Sequence, residues 1–389
     1  GSATGNQIGV YGIRAANAIE MKKGFEAKVN TTLQNITVSA HAKGDNQKAS
    51  LSIDLKTYSL TAQNFSVTGS FLGDINTTIR GLSFSAQQPA DGTGTSVVLS
   101  AGGLYFSDSI TVSNYLSGNI SVVWDSNSSL TPAIDSWTGN FYGIYAGKTI
   151  TVGSGTGVFD SNITMNLSGA EASERAYATV IGIKAETLNA GSLAANINLT
   201  VETGLAIGAQ IDKFVNNVDS VFNVQVSSFD IIGDITVTGT SAVKVGLMIR
   251  DSGATNIRIS SDINVGRNAD DYAIYSGYYS YQPSKSSEKG RGYTLTTWRG
   301  GNDHIEIAAG ATITGNINLG SGTDEIYIDS NAQINGELIS DATDQGGRRN
   351  VTFMLNQYGS VNGDIRNEKV YNGSFIEEST TYVIDLNDA

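Results

Sequence analysis

The sequence predicts an all-β fold, a right-handed parallel β-helix (a β-solenoid) with short loop excursions. Short runs of alternating apolar and polar residues, rich in Thr, Val, Ile, Ser and Asn, are typical of strands. Glycine occurs 45 times, which favours many turns. Segments also repeat in register at fixed offsets, which a β-sandwich does not require. Two stretches, 15–28 and the alanine-rich 171–178, look helical instead.

The clearest repeat aligns residues 303–317 with residues 324–338 at an offset of 21. A second repeat aligns 103–112 with 143–152 at an offset of 40. A coil of about 20–25 residues cannot bury its own apolar side chains, but stacked coils can. We therefore expect stacked inward isoleucines in a rod of roughly 15–18 coils. The identical positions in the first repeat are Asp303/Asp324, Ile305/Ile326, Ile307/Ile328, Ala311/Ala332, Ile313/Ile334 and Gly315/Gly336.

Two shorter cues recur along the chain. A glycine before Ile or Leu occurs at Gly12, Gly81, Gly103, Gly143, Gly182 and Gly246. An Asn or Asp before Ile opens short strands at Asn35, Asp74, Asn119, Asn162, Asn196, Asp234, Asp262 and Asn316. Because these cues continue without a linker, residues 3–389 are predicted to form a single domain. Gly1-Ser2 is interpreted as a tag scar, and loop excursions are expected near 124–137 and 269–300.

The composition excludes several classes of function. Lys and Arg number 24 against 37 Asp and Glu, a net charge of −13, which argues against nucleic acid and anionic membranes as partners. The absence of cysteine excludes disulfides, zinc fingers and a thiol nucleophile. His41 and His304 are the only histidines, so a histidine-rich metal site is excluded as well. No cofactor is predicted.

Residues 300–328, GGNDHIEIAAGATITGNINLGSGTDEIYI, together with the strand ends ITGNI, INGEL and VNGDI, resemble the last coils of autotransporter passenger domains of Gram-negative bacteria. The resemblance implies a β-helical passenger that is displayed on the bacterial cell surface, at the outer membrane, or secreted. Passengers of this family act as adhesins, self-association factors, proteases or esterases. No series of alternating strands typical of the translocation barrel follows residue 365, which departs from the family pattern.

The excursion at 269–300 is the strongest candidate for ligand binding. Exposed aromatic rings with polar handles suit sugars or protein partners, although a loop can also pack its own aromatics over the flank of a rod. The candidate ligand-binding residues are Tyr275, Tyr278, Tyr279, Tyr281, Tyr293 and Trp298, with Trp137 from the second excursion.

The candidates for catalysis and metal binding are weaker. Asp303 and Asp324 follow turn sequences that resemble a calcium-binding nonapeptide, but they are 21 residues apart and also suit simple turns. Residues 143–149 are one residue short of a P-loop and precede a strand instead of a helix. Adjacent acids such as Asp270 and Asp271 point to opposite faces of a strand and are poorly placed to share a substrate.

We therefore expect a non-enzymatic adhesin or interaction protein that binds a host or bacterial surface glycan or protein, or a second copy of itself. Membrane association is expected only through a missing translocation barrel. The alternative is a β-helical enzyme that degrades polysaccharides, as a glycosidase or lyase. A third hypothesis, a trimeric phage tail spike, is separated from the first by the oligomeric state.

Overall fold

The structure is a computed structural model that describes residues 3–41, 51–87, 95–124, 129–130, 136–167, 176–202, 204–216, 228–239, 242–250, 255–281, 293–297, 303–320, 323–341, 351–357, 359–362, 365–368 and 380–385. Within these ranges most residues are in strands, and the one helical element is a 3-10 turn at Gly153–Gly155. No helix in the described part of the chain has the length and hydrophobicity to span a bilayer.

The strands are numbered in chain order. The first are β1 (Ala3–Arg14), β2 (Ala18–Met21), β3 (Lys28–Gln34), β4 (Thr37–His41), β5 (Leu51–Val67), β6 (Phe71–Arg80), β7 (Ser83–Gln87), β8 (Thr95–Val112), β9 (Leu116–Trp124), β10 (Ser129–Leu130), β11 (Ser136–Ala146) and β12 (Thr149–Val152). The next are β13 (Val158–Leu167), β14 (Ala176–Asn189), β15 (Ser192–Leu193), β16 (Asn196–Val201), β17 (Gly204–Val215), β18 (Phe229–Ile231), β19 (Ile235–Thr238), β20 (Ala242–Ile249), β21 (Asn256–Ile259), β22 (Ile263–Asn264) and β23 (Asp271–Tyr281). The last are β24 (Tyr293–Thr297), β25 (His304–Ile307), β26 (Thr312–Thr314), β27 (Asn316–Asn318), β28 (Thr323–Ile328), β29 (Gln333–Asn335), β30 (Leu338–Asp341), β31 (Val351–Gln357), β32 (Ser360–Val361), β33 (Ile365–Glu368) and β34 (Thr380–Asp385).

Ladder 1 is a sheet of parallel strands in the order β1-β5-β8-β11-β14-β17-β20-β23-β27-β30-β33. One apolar column crosses all of these strands in register. Its members are Ile13, Leu60, Leu104, Ile144, Ile183, Ala209, Leu247, Ile274, Ile317, Leu338 and Ile365. The column from Leu60 to Leu338 is buried, as expected for the inward face of alternating strands.

The second set of strands contains 17 members in one closed hydrogen-bonded group, and all its pairings are parallel. Ladder 2 runs through β3, β6, β9, β13, β16, β19, β22, β26, β29 and β32. Ladder 3 branches from the start of β13 and runs through β15, β18, β21, β25, β28, β31 and β34. A small sheet of β4, β7 and β10 completes the pairings.

The predicted repeats are confirmed as strand pairings. Ile305 pairs with Ile326 at the offset of 21, and Leu104 pairs with Ile144 at the offset of 40. The predicted coil length is wrong for most repeats, because Ile13 pairs with Leu60, 47 residues further along. Ladder 1 accordingly has 11 strands among the described residues, fewer than the roughly 15–18 coils that the sequence predicts.

The helical expectation for residues 15–28 is also wrong. Ala18–Met21 is strand β2, and it pairs in parallel with β5. Residues 176–178 begin strand β14, whereas 171–175 lie outside the described residues. Pairing with a long neighbouring strand thus overrides the weak helix propensity of these short segments.

A column of glycines lets ladder 1 approach ladder 2. In register, the column contains Gly12, Ser59, Gly103, Gly143, Gly182, Gly208, Gly246 and Ala273. A Cβ atom at Gly182 would lie 2.5 Å from the carbonyl oxygen of Gly208 and 2.6 Å from Cγ2 of Ile197 on ladder 2. Five of the six predicted glycine cues therefore occupy this column, and Gly81 does not, because it follows β6.

The apolar side chains of the three ladders form one continuous core. The same cluster contains Ile183 of ladder 1, Ile197 of ladder 2 and Ile257 of ladder 3, and each of these side chains is fully buried. Its largest member is Trp124, which begins the predicted excursion at 124–137 and is 1% exposed. The ladders therefore depend on one another for burial of their apolar faces.

The close contact at the glycine column predicts that a larger residue there destabilises the protein. Gly182→Ala should destabilise the protein by about 1–3 kcal/mol, because the added methyl group overlaps Gly208 and Ile197. Without that overlap the substitution would stabilise the strand by about 0.5–1 kcal/mol. Chemical denaturation measures the difference, and Thr187→Ala on the same strand is the control, with a change within about 0.5 kcal/mol. Equal stability of Gly182→Ala and wild type would show that the sheets do not meet closely here.

Candidate interaction surfaces

The tyrosine-rich excursion contributes a strand to ladder 1 and a hairpin arm. Residues 271–276 of β23 pair with β20 and β27, and the hairpin arm is defined as residues 277–281 of β23 together with β24. The two strands pair antiparallel, from Gly277 opposite Thr297 to Tyr281 opposite Tyr293. The arm covers a second apolar cluster on the outer face of ladder 1. The buried members of that cluster are Ile181, Leu205, Ile207, Val245, Met248 and Tyr275, and Tyr142, Val243, Tyr272, Tyr279, Tyr293 and Leu295 pack against them.

The predicted ligand-binding residues therefore occupy different environments. Tyr275 is 2% exposed, and the side chains of Tyr278, Tyr279 and Tyr293 are half-buried. The hydroxyl groups of Tyr293 and Thr179 lie 2.9 Å apart, which ties the arm to β14. Tyr281 and Trp137 lie in strands, but their side chains, like the whole of Trp298, are outside the described residues.

A row of stacked tyrosines on the outer face of ladder 1 was not among the sequence predictions. Tyr58 and Tyr105 stack with ring centroids 4.4 Å apart, and Tyr105 and Tyr145 with centroids 4.5 Å apart. Tyr11 extends the row at 6.4 Å from Tyr58. Because the rings cover one another's faces, the row presents ring edges and hydroxyl groups to its surroundings.

Cations close both ends of the tyrosine row. The guanidinium carbon of Arg14 lies 4.5 Å from the ring centroid of Tyr11, and Nζ of Lys184 lies 5.6 Å from that of Tyr145. Burial raises the pKa of Tyr58, and the neighbouring Tyr105 raises it further. Tyr58 therefore keeps its hydroxyl proton to more alkaline pH than a free tyrosine does.

The outer face of ladder 2 is a regular array of short side chains, all polar except Val123, and is here named the polar face. It has three columns of exposed or half-buried residues across β6, β9, β13, β16, β19, β22 and β26. Column A contains Asp74, Asn119, Asn162, Asn196, Asp234, Asp262 and Thr312. Column B contains Asn76, Ser121, Thr164, Asn198, Thr236, Asn264 and Thr314. Column C contains Thr78, Val123, Asn166, Thr200 and Thr238.

Column A is an uninterrupted hydrogen-bonded ladder, and six of the predicted Asn/Asp cues belong to it. Nδ2 of Asn162 donates to Oδ1 of Asn119 at 3.2 Å, and Nδ2 of Asn196 donates to Oδ1 of Asn162 at 3.1 Å. Further along, the backbone N–H of Asp262 donates to Oδ1 of Asp234 at 3.0 Å. The column thereby joins neighbouring strands through their side chains, and in its later part through backbone N–H groups. Asn35 and Asn316 lie outside this column.

The two calcium candidates, Asp303 and Asp324, lie on neighbouring strands of ladder 3. Oδ1 of Asp324 accepts the backbone N–H of Asp303, and Oδ1 of Asp303 accepts that of Thr255, both at 3.0 Å. Burial raises the pKa of Asp324 to about 8, against the hydrogen bond from Asp303, which lowers it. No group of three or more metal-ligating side chains occurs in the described ranges.

The adjacent residues Asp270 and Asp271 lie in different environments. Asp270 is exposed, whereas Asp271 is buried with its Oδ2 atom 3.1 Å from Nζ of Lys244. The same oxygen accepts the backbone N–H and the side-chain Nδ2 of Asn268, at 3.1 and 2.8 Å. This buried ion pair fixes the first residue of β23 and hence the root of the hairpin arm.

Asp271→Asn should destabilise the protein by about 3–5 kcal/mol, because it leaves the Lys244 ammonium buried without a counter-charge. Denaturant titration measures the loss, and Asp270→Asn is the matched control with little expected effect. The double variant Lys244→Met/Asp271→Leu should recover most of the stability. A mild effect of Asp271→Asn would mean that the pair is hydrated.

The raised pKa of Asp324 predicts a pH dependence of stability. The folded state holds this proton up to about pH 8, whereas the unfolded chain releases it near pH 3.8. The contribution of the protonated carboxyl to the free energy of unfolding is therefore full below about pH 4 and is lost as pH rises toward 8. This group contributes a slope of at most about 1.4 kcal/mol per pH unit in that window.

Asp324→Asn should flatten this slope, since the amide oxygen still accepts the N–H of Asp303 but carries no proton. Unfolding free energies at several pH values between 4 and 8 provide the measurement. Asp262→Asn is the control, because that exposed carboxylate also accepts a backbone N–H, from Thr312 at 2.8 Å. Identical slopes for wild type and Asp324→Asn would contradict the shift.

No protein-family model, curated protein or solved structure matches the chain. The functional argument therefore depends on the surfaces described above: the tyrosine row with the hairpin arm on ladder 1, and the polar face on ladder 2.

Proposed function

We propose that this chain is a right-handed parallel β-helix and acts as a non-enzymatic adhesin of the bacterial cell surface, as an autotransporter passenger that is displayed or secreted. The polar face is its contact surface, and a second copy of the chain is the partner that fits this face best. The observation that carries this proposal is the regular array of uncharged short side chains in columns B and C, next to the hydrogen-bonded column A.

Three features support the β-helix. Each strand of ladders 1, 2 and 3 takes its partners from the preceding and following repeats. The three ladders enclose one core. Parallel strands connected in this way are right-handed in nearly all known cases. An experimental structure in which ladders 2 and 3 close as a barrel separate from ladder 1 would overturn the proposal.

A periodic polar face is complementary to itself. Asn side chains both donate and accept, and Thr hydroxyls do the same, so two copies can pair in any register that shifts by whole strands. Columns B and C contain no Lys, Arg, Asp or Glu. The three columns hold 19 residues, and a spacing of about 4.8 Å between strands and about 6.8 Å between columns gives roughly 600 Å² per copy. Two copies would bury about 1,200 Å², the low end for a specific interface.

Such a contact is weak for one pair and strong for many copies on facing surfaces, because the contacts add through avidity. The net charge of −13 opposes the approach of two copies, and screening at about 0.15 M salt reduces that repulsion. We therefore expect the contact to strengthen as salt rises from low concentration to 0.15 M.

The non-enzymatic assignment is supported by the structural roles of the polar groups that first suggested chemistry. Asp271 pairs with Lys244. Asp303 and Asp324 hold backbone N–H groups of neighbouring strands. Nδ1 of His304 lies 2.9 Å from a carboxylate oxygen of Glu325 on the next strand. A polysaccharide-degrading activity is the alternative, and release of reducing ends from a glycan panel would establish it.

Lysines introduced in column B test the proposed contact. Thr164→Lys/Asn198→Lys should abolish concentration-dependent association at 0.15 M salt, measured by analytical ultracentrifugation and by clustering of protein-coated beads. The change lowers the net negative charge, so a general charge effect would strengthen association instead.

The matched control is Ser66→Lys/Thr111→Lys, an exposed pair on neighbouring strands of ladder 1. It adds the same charge away from the polar face and should associate like wild type. The polar face is rejected as the contact if the wild-type protein stays monomeric and its beads do not cluster. It is also rejected if the column B variant still associates.

A further inference from the structure

A group of basic, amide and aromatic side chains lies where the tyrosine row meets the hairpin arm. Its members are Lys184, Gln210 and Arg250, with the rings of Tyr142, Tyr145 and Tyr279. Tyr145, Lys184 and Gln210 are consecutive members of one outward column of ladder 1. Arg250 directly follows β20, and its backbone N–H donates to Ile211. The tyrosines and Lys184 belong to the row and the arm described above, whereas Gln210 and Arg250 have no role there.

Two polar atoms here are buried without a hydrogen-bond partner. The Oε1 atom of Gln210 is one, in a side chain that is 1% exposed. The Nε atom of Arg250 is the other, and its closest carboxylate oxygen, Oδ1 of Asp212, is 3.8 Å away, too far for a hydrogen bond. A buried donor and a buried acceptor are thus both unsatisfied, which destabilises the protein until a ligand or water binds.

The charges at this position favour an anion. Lys184 and Arg250 are close enough to repel each other: burial lowers the pKa of Lys184, Arg250 lowers it further, and Asp212 opposes the shift. Nζ of Lys184 lies 5.6 and 6.0 Å from the ring centroids of Tyr145 and Tyr142. A bound carboxylate would relieve the repulsion and satisfy the Arg250 donor.

The surroundings limit that anion to a single charge. Asp212 is half-buried beside Arg250, Glu186 is exposed on the same strand as Lys184, and the chain carries −13 overall. Sulfated glycans and nucleic acids would meet this negative charge along their length. Tyrosine rings offer apolar surface to the C–H faces of a sugar, and the amide of Gln210 can bond a hydroxyl group.

We propose that Lys184, Gln210 and Arg250 form a binding site for a carboxylate-bearing sugar, with Tyr142, Tyr145 and Tyr279 as its walls. The site lies on ladder 1 and uses none of the residues of the polar face. It would give the protein a second, ligand-specific contact besides self-association.

Calorimetric titration of the intact chain with glucuronate and with sialic acid tests the site, each against a neutral sugar, glucose or galactose. Wild type should bind at least one acidic sugar at least about tenfold more tightly than the neutral sugars. Heparin tests whether the site prefers a polyanion, and it should bind no more tightly than the acidic monosaccharide.

Lys184→Met keeps the length of the side chain and removes its charge, and it should weaken binding of the acidic sugar by about tenfold or more. The control is Lys213→Met, which removes an exposed lysine from β17 and should bind like wild type. Thermal melting checks that both variants fold, and both should self-associate like wild type, which separates this site from the polar face. The site is rejected if wild type binds neither acidic sugar at millimolar concentration, if neutral sugars bind equally well, if heparin binds more tightly than the monosaccharide, or if Lys184→Met binds unchanged.

Discussion

The close approach of ladder 1 to ladder 2 at the glycine column is the contact on which the rest of the structure depends. The Cγ2 atoms of Ile120, Ile163, Ile197 and Ile235 lie only 2.4–2.6 Å from the positions that Cβ atoms would take at the facing glycines. A methyl group at Gly103, Gly143, Gly182 or Gly208 would separate the sheets and open the core between them, whereas Ala273 at the end of the column faces Gly315. Where Ser59 replaces glycine, its hydroxyl lies 2.8 Å from that of Thr77, so the exception is accommodated by a buried hydrogen bond.

The two outer faces follow from this fixed spacing. Because the inward positions are occupied by one core, alternate residues of ladders 1 and 2 point outward and stack in columns. On ladder 2 those columns consist mainly of Asn, Thr and Asp, and side-chain hydrogen bonds join neighbouring strands along column A. On ladder 1 they include tyrosines, and Tyr58, Tyr105 and Tyr145 stack ring on ring. The same parallel register therefore produces a hydrated surface on one side and an aromatic surface on the other.

The sequence predicted the parts of the fold that repeat at short, constant spacing. The 21-residue offset correctly paired Ile305 with Ile326, and the glycine and Asn/Asp cues identified most of two structural columns. The sequence did not predict the tyrosine row, because Tyr58, Tyr105 and Tyr145 are 47 and 40 residues apart. A column of stacked residues cannot be recognised from a fixed offset when the repeats differ in length. The group around Lys184 was not predicted either, because Arg250 follows a strand that lies two positions further along ladder 1 and is distant in sequence.

The unequal repeats have a mechanical consequence. The strands of ladder 1 bond to one another along the direction in which they stack, so a force in that direction would open the pairings one strand at a time. Each opening would release the residues between two neighbouring strands, 47 between Ile13 and Leu60 but 26 between Ile183 and Ala209. At about 3.4 Å per extended residue the chain would lengthen in unequal steps of roughly 160 and 90 Å. A protein that tethers two surfaces would in this way yield gradually under tension and keep its remaining strands paired.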